Sequence, residues 1–154
     1  MNENIEEYIQ NHGQMIITPV GVSMWPMLRG NRDTVLLVKP NGRLKKYDLP
    51  VYKRDNGSFI MHRVLEVHPD SYTVCGDHQV NPEYGIRDEQ IIAVVKGFYR
   101  DEKYISSEDK HYMRYCRFWC KSLKRRKMLM LLPDFLKRCK SYAVRRAKKL
   151  TGGL

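Results

Sequence analysis

The chain has 154 residues, of which 42% are hydrophobic, and a formal net charge of +11. That length suits one domain with its own core plus an appendage. The longest apolar run, Met128 to Leu132, stops at Pro133, far short of the ~20 residues a membrane-spanning helix needs.

The charge is unevenly spread. Residues 1–105 carry 13 Lys and Arg against 14 Asp and Glu, whereas residues 106–154 carry 15 against 3. This predicts two parts: a near-neutral β domain over 1–105 and a basic tail over 106–154 suited to an anionic surface.

The opening segment, Met1 to Glu7, is acidic, unlike a secretory signal peptide. Residues 2–11 predict a short helix with acidic groups in its first turn, where the helix dipole favours them, ended by Gly13. Met15 to Val20 is β-branched and apolar, and reads as a strand, with Pro19 favouring an edge or a strand end. Strands follow at Thr34–Lys39 and Leu49–Lys53. The Asn-Gly turn at Asp55–Ser58 then leads into one long strand, Phe59–Val67, with Ile60, His62, Val64 and Glu66 on a common face. Tyr72–Cys75 is a further strand, residues 79–89 form a polar loop, and Ile91–Arg100 is the last and most apolar strand. Short strands divided by turn signals predict a mainly β domain with coiled or barrel-like sheets.

From about Ser107 the apolar period lengthens. Tyr112, Cys116, Trp119, Cys120 and Leu123 mark one amphipathic helix, and Leu132, Phe135, Leu136, Cys139, Ala143 and Leu150 a second, with Lys and Arg on the opposite faces. Three readings suit such a pair: packing on the β domain, peripheral contact with an anionic membrane through Phe118, Trp119, Leu123, Leu131, Leu132 and Phe135, or nucleic-acid binding, which ranks last. The four cysteines, Cys75, Cys116, Cys120 and Cys139, complete no zinc set with well-spaced histidines. They read as reduced thiols in an intracellular protein, and no metal or cofactor is expected.

One stretch carries candidate chemistry: Gly21-Val22-Ser23-Met24-Trp25-Pro26-Met27-Leu28. A serine on such a turn either bonds its own backbone or is held out as a nucleophile. As a nucleophile it needs a base, and His62, embedded in a hydrophobic strand, is the candidate among five histidines. Asp77 and Glu83 are alternative carboxylates to orient the ring, and the Ser23 N–H would serve as an oxyanion donor.

Three ordered blocks resemble the type I signal peptidase family. The Gly21–Leu28 stretch is similar to its nucleophile block, Arg32-Asp33-Thr34-Val35-Leu36-Leu37 to its next strand with Arg32 in place of a glycine, and Ile60-Met61-His62-Arg63-Val64 to its general-base block. A histidine base resembles the endoplasmic-reticulum and sporulation-type branch. Cys75-Gly76-Asp77-His78 and Val94-Val95-Lys96-Gly97-Phe98 resemble the closing blocks. The self-cleaving repressor family shares that fold but uses lysine as base.

The resemblance, over roughly residues 14–100, implies a β-rich peptidase fold and a serine–histidine mechanism. It also implies an extended peptide substrate lying against a strand, with small side chains near the cut. The expected function is a serine endopeptidase that cleaves a leader or precursor peptide, cytoplasmic or peripheral on the cytoplasmic face of the membrane. The alternative is an inactive peptidase-fold module that binds a peptide, a membrane surface or a partner protein.

Overall fold

The computed structural model describes residues 4–132. The fold is mainly β, with two antiparallel sheets. The chain divides into a unit ending at Lys121 and a second one starting at Ser122.

The first unit opens with α1 (Ile5–His12). Asn4 caps it by accepting from the Glu7 N–H, Glu7 reaches back to the Asn4 N–H, and Gly13 closes it at φ 75°. The strands are β1 (Gln14–Ile17), β2 (Thr34–Val38), β3 (Pro50–Lys53), β4 (Phe59–Met61), β5 (Arg63–Val67), β6 (Tyr72–Cys75), β7 (Glu83–Ile86), β8 (Ile91–Arg100) and β9 (Lys103–Ser106). Helix α2 (Lys110–Cys120) follows, started by Asp109, which accepts from the His111 and Tyr112 N–H groups.

The larger sheet runs β1-β2-β8-β3-β4, with β9 also on β8. Its outer strands β1 and β4 do not pair with each other, so the sheet is open among the described residues. The smaller sheet is β5-β6-β7. Alternation along β3 builds two cores. Val51 joins Ile9, Met24, Leu28 and Phe98 in the first, into which α2 sets Tyr112 and Cys116. Tyr52 joins Val64, Tyr72 and Val74 in the second, beneath the smaller sheet.

Three expectations change. The long strand expected over Phe59–Val67 breaks at His62: its first part, β4, pairs with β3, while β5 pairs with β6 in the other sheet. Arg63 and Leu65 are buried along with Val64: Arg63 is enclosed by Asp77, Tyr112 and Cys116, and the register of β5 against β6 shifts at Leu65. The polar loop expected over 79–89 contains β7 and a 3-10 turn, Asp88–Gln90. Strand β9 had no sequence signal, since Lys103-Tyr104-Ile105-Ser106 is too short and mixed to stand out.

The expected boundary after residue 105 falls instead after Lys121. Burial of Tyr112 and Cys116 in the first core makes α2 part of the β unit. In the second unit residues 123–132 are helical, so Leu123 belongs to this helix and not to α2. The helix expected from Pro133 onward, with Phe135, Leu136, Cys139, Ala143 and Leu150, lies outside the described residues. No described helix is long and apolar enough to cross a membrane.

Candidate active site

The serine turn is set by its own apolar residues. Met24 and Leu28 are buried in the first core, and their burial fixes the loop between β1 and β2. The Trp25 N–H donates to the Val22 carbonyl at 3.0 Å and the Leu28 N–H to the Met24 carbonyl at 2.9 Å; the Trp25–Pro26 peptide is cis. At the far end of the loop, buried Asp33 accepts from the Arg29 N–H at 3.1 Å and from Arg100, which also donates to the Met27 carbonyl.

Two glycines allow close backbone approach. A Cβ on Gly30 would lie 2.0 Å from the Gly21 carbonyl oxygen, and one on Gly76 would lie 2.6 Å from that of Ser23. The same Ser23 carbonyl accepts from the His78 N–H at 2.8 Å. The segment after β6 therefore clamps the turn that carries Ser23.

His62 stands where the chain passes from one sheet to the other, and it is 3% exposed. Its Nδ1 lies 3.0 Å from Glu83 Oε1 and 3.2 Å from the Tyr52 hydroxyl. Tyr52 donates to Glu83 Oε1 at 2.9 Å, and Arg54 Nε donates to Glu83 Oε2 at 2.8 Å. Burial pushes the His62 pKa below its ordinary 6.5, and the neighbouring Glu83 charge only partly opposes this. Burial also works to raise Glu83, but the hydrogen bonds from Arg54 and Tyr52 and the Arg54 charge outweigh it and hold the carboxyl below its usual range. Near pH 7 the arrangement is a neutral imidazole beside a carboxylate. With that acceptor at Nδ1, the ring proton belongs there and Nε2 is left as the basic nitrogen.

Ser23 and His62 line one cavity of about 410 Å³. Its walls include Ile17 to Gly21 at the end of β1 and Phe59, Ile60 and Met61 of β4, and Arg54 and Gln79 also line it. An apolar slot between two edge strands, with a hydroxyl and an imidazole on its lining, suits an extended chain.

The two candidate carboxylates have separate partners. Glu83 meets the His62 ring, whereas Asp77 is fully buried against Arg63, with Nε to Oδ1 at 2.9 Å and NH2 to Oδ2 at 2.7 Å. The Tyr115 hydroxyl adds a bond to Asp77 Oδ2 at 3.3 Å. Asp77 hydrogen-bonds to Arg63 and not to the imidazole.

Trp119 differs from its expected place on a lipid-facing surface. Its Nε1 donates to the Asp77 carbonyl at 2.8 Å and its ring stacks on Tyr115, because a sheltered indole N–H needs an acceptor. Sequence reading missed Tyr52 and Arg54 at the site. The Asn-Gly hairpin signal places both on or beside the strand paired with β4, but says nothing of their reach to Glu83.

Among the described residues no group of three or more His, Cys, Asp or Glu side chains is placed to hold a metal ion. Comparison of the chain with protein-family models, with curated proteins and with solved structures finds no match in any of the three.

Proposed function

We propose that this protein is a serine endopeptidase of the signal-peptidase type, cleaving a leader or precursor peptide. The observation that carries the reading is the shared cavity: Ser23 and His62, remote in sequence, line one slot, with Glu83 against Nδ1 of the His62 ring. In this reading Ser23 Oγ attacks the scissile carbonyl while His62 Nε2 takes its proton. The oxyanion gathers charge against the Ser23 N–H. His62 then returns the proton to the leaving amine, and water repeats the sequence on the acyl-enzyme. Glu83 orients the ring and offsets its charge when protonated. The peptide lies extended between the end of β1 and β4, with a small side chain at the cut. The two open sheets are read as the coiled-sheet arrangement of that family.

The protein is further proposed to be cytoplasmic and peripheral on the membrane. Exposed Met128, Leu131 and Leu132, beside exposed Lys124 and Lys127 on the same helical segment, support this contact.

The test is purified protein against a panel of leader peptides, with Ser23→Ala and His62→Ala alongside. Both substitutions are expected to reduce cleavage by at least about 10²-fold. Unchanged cleavage by Ser23→Ala would end the proposal. Peptide binding without cleavage, equal with and without Ser23 and silent to serine-directed acylating probes, would identify an inactive binding module.

A further inference from the structure

We propose that Tyr52 and Arg54 are positioning residues that hold the Glu83 carboxylate against His62 Nδ1 and thereby select the ring nitrogen that works as the base. The inference deepens the reading above, because it rests on His62 acting as a base.

A carboxylate beside an imidazole does not by itself define a base. Glu83 has a long side chain and is half-buried, so its carboxylate plane would turn unless held. Arg54 supplies a fork: Nε donates to Oε2 at 2.8 Å and NH2 to Oε1 at 2.5 Å. Two parallel bonds fix both the position and the plane of the carboxylate. Tyr52 supplies the other constraint. It has one hydroxyl hydrogen, donated to Glu83 Oε1 at 2.9 Å, so toward His62 Nδ1 it presents only lone pairs, at 3.2 Å. Nδ1 therefore faces two acceptors, and its proton is held there.

The parts come from separate elements. Tyr52 is fully buried on β3, Arg54 follows β3 at the start of the hairpin turn, and Glu83 opens β7 of the other sheet. His62 stands between the two sheets. The network thus ties them together at the residue where the chain crosses. The charged groups acting on the ring are Glu83, Arg54 and Asp77, and the last of these is held by Arg63. Glu83 and Asp77 favour a protonated ring, whereas Arg54 and burial disfavour it.

A merely structural tie between the sheets and a positioning role differ in what they do to the ring. The experiment is nitrogen-15 NMR of the imidazoles in the full chain, without substrate. It covers the wild type, Arg54→Gln, Arg54→Lys and Tyr52→Phe, with a melting curve for each. His62 in the wild type is expected to titrate below 6.5 with its proton on Nδ1. Arg54→Gln removes a cation, which raises the midpoint, but it also frees Glu83, whose charge acts more strongly on the ring, so the midpoint should fall and the ring proton should divide between the two nitrogens. Arg54→Lys keeps the charge but loses the fork, so the midpoint should stay near that of the wild type. Tyr52→Phe should yield a mixture of ring tautomers.

Where leader-peptide cleavage is measurable, Arg54→Lys and Tyr52→Phe should lower kcat by about 10- to 100-fold with little change in KM. If all three variants melt lower yet keep the wild-type midpoint and tautomer, the proposal is overturned and the network is only a tie. Should Arg54→Gln not fold, Tyr52→Phe and Arg54→Lys decide the matter. A wild type that cuts no peptide would overturn the proposed reaction, while the titration still judges the positioning.

Discussion

Arg63 and Asp77 form a two-pronged ion pair with both side chains fully excluded from solvent. Each is the chain neighbour of a site residue. Arg63 follows His62, and Asp77 precedes His78, whose N–H holds the Ser23 carbonyl. The pair therefore joins the segment carrying the imidazole to the segment that clamps the serine turn. Removing one partner leaves an uncompensated buried charge. Arg63→Met and Asp77→Asn should each cost about 3–5 kcal/mol, read as a lower midpoint in denaturant unfolding. A change under about 1 kcal/mol would show that the pair does not hold these segments.

The glycine contacts give a steric prediction. Gly30→Ala and Gly76→Ala both place a Cβ inside contact distance of backbone oxygen in the serine turn, and backbone yields less readily than a flexible side chain. Each should destabilise the fold by about 1–3 kcal/mol and, on the proposed reaction, slow cleavage through displacement of Ser23. Melting curves and kcat/KM check this. Gly57→Ala is a contrast, because its strain is conformational, at φ 83° with open space around it, and it lies in the β3–β4 hairpin turn.

The pH dependence follows from two depressed groups. His62 is pushed below 6.5 by burial, so it is neutral near pH 7 and becomes charged only in acid. If the protein is the proposed peptidase, the acid limb of its kcat/KM should have its midpoint below 6.5, with cleavage falling as pH drops. Stability moves the same way. A group held lower in the folded state than in the unfolded chain contributes above its unfolded pKa and is lost as pH falls through its folded one. For His62 the loss begins near its ordinary 6.5, and for Glu83 near its ordinary 4.5. Unfolding measured from pH 8 to pH 4 should show falling stability with no maximum in acid. An acid limb centred above 6.5 would contradict the burial argument.

Helix α2 should behave as part of the β unit. The Tyr112 hydroxyl accepts from Arg63 NH1 at 2.7 Å, and Cys116 Sγ lies 3.2 Å from the same nitrogen. Tyr112→Phe should cost about 1.5–3 kcal/mol, since the bond is to a charged donor. A chain ended at residue 105 should lack a cooperative unfolding transition, whereas one ended at Lys121 should keep it. Circular dichroism melts of the two truncations decide between these boundaries.

Much of this fold was legible in local chemistry. The apolar, β-branched residues of Thr34–Val38, the Asn-Gly turn at residues 56 and 57, and the apolar run Ile91–Val95 each specify an element through its own residues. So does α1, whose stop is written in Gly13. The serine turn was legible too, because its anchors Met24 and Leu28 flank it in sequence.

What waited for the tertiary structure were the features that depend on partners far along the chain. Phe59–Val67 reads as one strand because its residues all favour extended backbone. Only pairing with β3 on one side and β6 on the other breaks it at His62. Asp77 and Glu83 are equivalent as residue types. Arg63 holds one and Arg54 with Tyr52 the other, and these are pairings across sheets that no local pattern encodes. The sequence by itself determined which segments extend, turn or coil, since those preferences reside in each residue and its near neighbours. Which carboxylate meets the imidazole was decided by long-range packing, because a side chain's reach is set by the register of strands that the chain brings together only on folding.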